Sequence, residues 1–134
     1  MAITRQFRAS SRTQNGAVRE YRSVWTLTEK GSEILCAEET AQGKQVLIRL
    51  SGKLRSDTLH FFKDELLALA TTDSDVTLNC EALTGISNVC QKGLIETQQL
   101  MDSLGRGTLT LVKLPKEILA DFRASGVAGA LDIE

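Results

Sequence analysis

The 134 residues carry a formal net charge of −1, with 42% hydrophobic and 25% charged side chains. That length and mix describe one soluble domain with one core, large enough to need no metal or disulfide staple. Near-neutral charge excludes the global basic signature of a nucleic-acid binder, and no stretch approaches the roughly 20 apolar residues that cross a bilayer.

Aromatic residues make up only 4% of the chain, so an aliphatic core is expected. Arg5, Arg8, Arg12, Arg19 and Arg22 crowd the first segment, opposed by Glu20 alone. Residues 1–31 therefore read as a solvated basic N-terminal arm, to which a possible extra strand belongs. The arm shares its Arg- and Ser-rich composition with organellar transit peptides but lacks their apolar helical face. Cys36, Cys80 and Cys90 are odd in number and widely spaced, which implies reduced thiols and a cytoplasmic setting.

Residues 1–21 are polar and irregular, with a turn signal at Asn15-Gly16. Residues 21–28 alternate about Trp25 and Leu27, the pattern of the extra strand, and Lys30-Gly31 ends it. Strands are predicted over 32–38 and 45–50, joined as a hairpin by the turn around Gln42-Gly43. Ser56 or Asp57 is placed to cap a helix from Thr58, with Leu59, Phe62, Leu66 and Leu69 as its apolar stripe. A polar break at 71–74 precedes a short strand over 75–80, and an irregular run follows to Ser87.

Asn88 and Gln91 have the spacing of a capping box. The helix they open carries Leu94, Met101 and Leu104 and ends at Gly105 and Gly107. A strand over 108–112 follows, then a helix opened by Pro115, faced by Ile118, Leu119 and Phe122 and stopped by Gly126. Residues 130–133 close the chain as a strand or turn. The class is α/β: a mixed four- to five-stranded sheet with a mainly parallel core and about three helices.

Catalytic and metal chemistry finds little to stand on. His60 is the single histidine and reads as a surface residue, and no Cys-x-x-Cys pair is present to start a zinc site. There is no Gly-x-Ser-x-Gly elbow. Gly105-Arg106-Gly107 ends a helix and precedes a strand, whereas a phosphate cradle follows a strand and opens a helix. Neither a cofactor nor a metal is expected, and no residue is assigned a catalytic role. Cys90 alone has chemical interest. A helix N-terminus favours thiolate at an exposed cysteine, and the alternative is a small side chain filling a tight junction.

Residues 45–54 end in Ser51-Gly52-Lys53-Leu54 and resemble the strand and Gly-x-Leu corner that open a STAS domain. Residues 76–86 resemble the central strand of that family, and 94–127 match its closing helix–strand–helix segment in type and spacing. The family comprises anti-sigma-factor antagonists and cytoplasmic domains of sulfate transporters. The resemblance covers 32–134, which is assigned as the STAS-like domain.

The resemblance places Ser87-Asn88-Val89-Cys90 on the Asp-Ser-Ser-Gly signature. The phosphorylated serine then falls on Val89, which has no hydroxyl, the aspartate on Ser87 and the glycine on Cys90. An acidic residue after the Gly-x-Leu corner falls on Arg55, a reversal of charge. Ser87 is the nearest displaced acceptor for phosphate, or else a capping hydroxyl.

A contact surface for a protein partner is thus expected at Arg55, Thr84, Ser87, Asn88, Val89 and Cys90, with 84–90 as a loop. The resemblance implies an anti-sigma-factor kinase as partner, regulated without the usual phospho-switch. A second implied role is a scaffold or accessory subunit of a membrane transporter or sensory assembly, with the strand of Tyr21 and Trp25 covering a sheet edge or building a homodimer; the alternative, which the sequence favours, is that Trp25 simply caps the core. A small enzyme or nucleotide-binding protein is the third reading. No nucleic acid and no membrane insertion are expected.

Overall fold

The computed structural model describes residues 2–9, 13–14, 17–18, 20–70, 74–105 and 107–134. The turn expected at Asn15-Gly16, Arg106 and most of the break at 71–74 lie outside them. The strands are β1 (Ala2–Ala9), β2 (Thr13–Gln14), β3 (Ala17–Val18), β4 (Glu20–Glu29), β5 (Ser32–Gln42), β6 (Gln45–Leu54), β7 (Asp75–Ile86), β8 (Leu109–Val112) and β9 (Asp132–Ile133). The helices are α1 (Leu59–Ala70), α2 (Asn88–Leu104) and α3 (Lys116–Ala124), with a 3-10 turn at Val127–Ala130.

Seven strands form one sheet in the order β1-β4-β5-β6-β7-β8-β9, while β2 and β3 pair separately. The sheet is mixed, as expected, but larger than the four to five strands predicted. The excess comes from the two ends of the chain. Residues 2–9 are not a loose arm: β1 pairs with β4 from Ala2↔Thr28 to Ala9↔Tyr21. An edge strand needs little apolar surface, so Thr4, Arg5 and Gln6 concealed it. At the other edge β9 is two residues long and parallel to β8.

β1, β4, β5 and β6 are antiparallel, and β6 to β9 are parallel. The turn between β4 and β5 is two residues, Lys30 and Gly31, both at positive φ, which matches the right-handed twist of the flanking strands. The parallel strands advance steadily in one direction across the sheet. Right-handed crossovers in a single direction place all three helices on one face. The strands show the result. Trp25, Leu27, Leu35, Ala37, Val46, Ile48, Leu50, Val76, Leu78, Leu109 and Leu111 are buried, and the residues between them are half-buried or exposed.

Phe62, Leu66 and Leu69 of α1, Leu94 and Met101 of α2, and Ile118 and Phe122 of α3 complete this core. Leu104, expected on the apolar face of α2, is exposed in its last turn. Trp25 is only 1% exposed, so it is a core residue and not an interface anchor. Tyr21 is half-buried and its hydroxyl donates to the buried Glu39 carboxylate. Burial raises both groups above their ordinary pKa values. Arg5 pairs with Glu65, fastening β1 to α1.

Candidate functional site

The end of the parallel strands where β6 and β7 stop is held by a short set of hydrogen bonds. The Ser87 N–H donates to the Leu54 carbonyl at 2.9 Å, so the end of β7 is pinned to the end of β6. The Arg55 N–H donates to Thr58 Oγ1 at 2.8 Å, and that hydroxyl donates back to the Arg55 carbonyl at 3.0 Å. Thr58 is fully buried, so this closed loop of bonds fixes the start of α1 from inside. The residue just before α1 is thus Thr58, whose hydroxyl bonds back to Arg55 and not to the first-turn N–H groups.

At the start of α2 the cap is Ser87, not Asn88. Its Oγ accepts from the Cys90 N–H at 3.3 Å, and its carbonyl accepts from Gln91 N–H at 3.0 Å. This satisfies orphan donors of the first turn. The shift of one residue takes Gln91 out of a capping box. Its amide instead donates to the Ile86 carbonyl at 3.3 Å and accepts from Ser125 Oγ at 3.0 Å, tying β7 to the end of α3. Residues 84–86, expected in a loop, are the last residues of β7.

Cys90 is fully buried, and its thiol donates to the Arg55 carbonyl at 3.1 Å. Burial pushes this thiol up, the opposite of a thiolate activated at a helix N-terminus. Cys90 is therefore the small junction residue, and its side chain does not reach the exposed surface. Cys80 is buried too and is pushed up to about 12 by the same cause. A thiol reagent on the native protein should react first at the half-buried Cys36, with Cys80 and Cys90 modified only at the rate of unfolding. Mass mapping of the labelled cysteines checks the order, and early label on Cys90 would refute the packing role.

Arg55 is held from two sides. Its Nε donates to Asp57 Oδ1 at 2.8 Å, a terminal nitrogen also pairs with Asp57, and that nitrogen lies 3.0 Å from Glu29 Oε2. The charge-assisted bonds hold Arg55 more firmly protonated and lower the Asp57 carboxyl below its usual range. The reversal of charge at Arg55 is thus offset by two carboxylates at the same spot. From sequence Asp57 was read only as a candidate helix cap, and Glu29 was not singled out. Asp57 lies two residues from Arg55, but Glu29 arrives from the end of β4 through tertiary folding, which no local pattern shows.

The six expected residues do gather at this end of the sheet, with different exposures. Arg55, Ser87 and Cys90 are joined by the bonds above. Asn88 and Val89 lie on the outside of the first turn of α2, and Val89 is 51% exposed. Thr84 stands one step back on β7, where its hydroxyl donates to the Gly52 carbonyl at 3.1 Å. Among the described residues no group of His, Cys, Asp and Glu has the arrangement to hold a metal ion. Among them, too, no helix is long and apolar enough to cross a membrane.

A mixed sheet with three crossover helices on one face, and a capped α2 start beside the β6 corner, defines a STAS-type α/β module. The family described as "Mlab, STAS domain" matches residues 37–133, and the chain belongs to that family. Its fold is shared with an anti-sigma factor antagonist from Mycobacterium paratuberculosis at 12% identity, covering 80% of this chain and 89% of that one, with a TM-score of 0.65. The Bacillus antagonist SpoIIAA in its unphosphorylated form is 14% identical, covers 68% and 80%, and has a TM-score of 0.57. The murine anion transporter Slc26a9 is 14% identical over 69% of this chain and 17% of the transporter, with a TM-score of 0.58. The comparison with curated proteins returns no match.

Proposed function

We propose that this chain is a non-catalytic, cytoplasmic regulatory module that binds a protein partner through the end of the sheet where α2 begins. The single observation behind this is Val89. It is an apolar side chain held out to solvent on a capped first turn, at the position that the family resemblance assigns to phosphoserine. Phosphorylation adds a charge of about −1.5 to −2 and separates such complexes. A valine accepts no phosphate, so the contact is governed by occupancy of the surface and not by a modification at that position. Arg55, with Asp57 and Glu29 around it, forms the charged margin of the same face.

The partner that fits the first reading is an anti-sigma-factor kinase, because the folds similar to this one include two anti-sigma factor antagonists. A second reading is an accessory subunit of a membrane transporter. Val89 favours it specifically, since a lasting contact needs no hydroxyl, and Slc26a9 carries this fold within a transporter.

Affinity capture from the native source, with wild type and Val89→Asp side by side, tests the proposal. Asp in the first turn of a helix is favourable to the helix, so folding should be kept and checked by thermal melting. The partner should be reduced by about tenfold or more in the variant, the effect of losing ~1.4 kcal/mol at the contact. Identical partner sets would place the contact elsewhere. A kinase among the lost proteins supports the first reading, and a transporter component supports the second. Mass spectrometry of the native protein should find Ser87 unmodified, because its Oγ is engaged as the cap.

A further inference from the structure

The face of the sheet opposite the helices carries a depression of about 530 Å³. It is lined by Cys36, Glu38, Arg49, Ser51, Asn79 and Glu81, none of which belongs to the proposed partner surface. Its origin is a bulge. Arg49 of β6 pairs with Asn79 of β7, but Ser51, two residues on, pairs with Ala82, so β7 holds one extra residue. A bulge bends and twists its strand and re-aims the side chains beside it.

The bulge also orients Asn79. Its Oδ1 accepts from the Glu81 N–H at 3.1 Å, and the amino group of the same amide is left as a donor. Arg49 stands beside it in register and is exposed. Among the described residues Arg49 makes no ion pair, although carboxylates are its neighbours. Glu38 lies 3.9 Å from Arg22 and Glu81 lies 3.7 Å from Lys113.

The chemistry of the depression is therefore divided. The guanidinium fork of Arg49, the amino group of Asn79 and the hydroxyl of Ser51 make a donor set for a carboxylate. Glu38, the partner of Arg49 on the neighbouring strand β5, supplies an acceptor for an ammonium. We infer that this depression binds a small zwitterion, an amino-acid-like molecule whose carboxylate meets Arg49 and whose ammonium meets Glu38. γ-Aminobutyrate, which carries both charges on a flexible chain, is a suitable probe of such a site. The site is open to solvent, so binding is modest in strength and weakens as salt is raised.

Amide chemical shifts of the isotope-labelled chain, titrated with γ-aminobutyrate, test the inference. Saturable shifts are expected around residues 36–38, 49–51 and 79–82, with residues 88–92 unmoved. Arg49→Gln and Glu38→Gln should each weaken binding by about tenfold or more. Both side chains face solvent or are only half-buried, and the spectra themselves report whether each variant is folded. Succinate and putrescine, which carry only one sign of charge, should move these amides less. Three results would overturn the inference: no saturation at tens of millimolar, equal response to all three compounds, or full binding by the two folded variants.

Discussion

Gly52→Ala should be among the most damaging single-methyl changes in this protein, lowering stability by at least about 3 kcal/mol. Gly52 sits within β6 at φ +102°, a conformation that side chains rarely adopt, opposite Leu35 of β5. A Cβ built there runs into the carbonyl oxygen of Ile34, which is backbone and cannot rotate away. To make room, β5 must separate from β6, and Leu35 is fully buried at that crossing. Gly43→Ala is the control. Gly43 also has positive φ, but open space surrounds it, so only the backbone preference is lost, about 1 kcal/mol. Urea unfolding of both variants measures the difference. If the two variants lose equal stability, the close approach at Gly52 contributes nothing.

Trp25→Ala is expected to cost about 3–5 kcal/mol, the range for removing a large buried aromatic. At roughly 3–5 °C per kcal/mol for a domain of this size, the melting temperature should fall by ten degrees or more. Residue 25 lies before the family match, which begins at residue 37. Were β4 an appendage, Trp25→Ala would leave the melt of the rest unchanged. The fold says otherwise: Trp25 and Leu27 are part of the single core under the helices. A melt that loses stability cooperatively, in one transition, confirms that the N-terminal strands are integral.

The elements with strong apolar periodicity were legible in the sequence. The stripe Phe62, Leu66 and Leu69 places α1, and Val46, Ile48 and Leu50 place β6, because each pattern matches a one-sided burial. Two things were not legible. β1 carries Arg5 within a polar run, and its place in the sheet is secured by pairing with β4 and by Glu65 of α1, both distant in sequence. The end of β7 was read as a loop because Glu81 and Ala82 break the alternation. They do so because of the bulge, and the strand resumes with Leu83 and Ile86 buried.

At the candidate site the gathering of Arg55 with residues 84–90 at one end of the sheet was legible, and their local bonding was not. The resemblance located Ser87 to Cys90, but the cap falls on Ser87 and the thiol of Cys90 turns inward to the Arg55 carbonyl. A shift of one residue in a helix start decides which side chains face solvent. That shift depends on where β7 stops, which is set by its pairing with β6 and not by the local sequence.

The division of the sheet into an antiparallel and a parallel half bears on the order in which the protein is made. β4, β5 and β6 are joined by two-residue turns at residues 30–31 and 43–44, so their contacts are local and form early. The parallel half needs whole helices between its strands and forms late. A ribosome releasing this chain therefore exposes a three-stranded ribbon with Trp25, Leu27, Leu35 and Ile48 on one side before α1 and α2 exist to cover it. For that interval the nascent chain has an uncovered apolar face, and its yield in the cell depends on how quickly residues 59–104 follow.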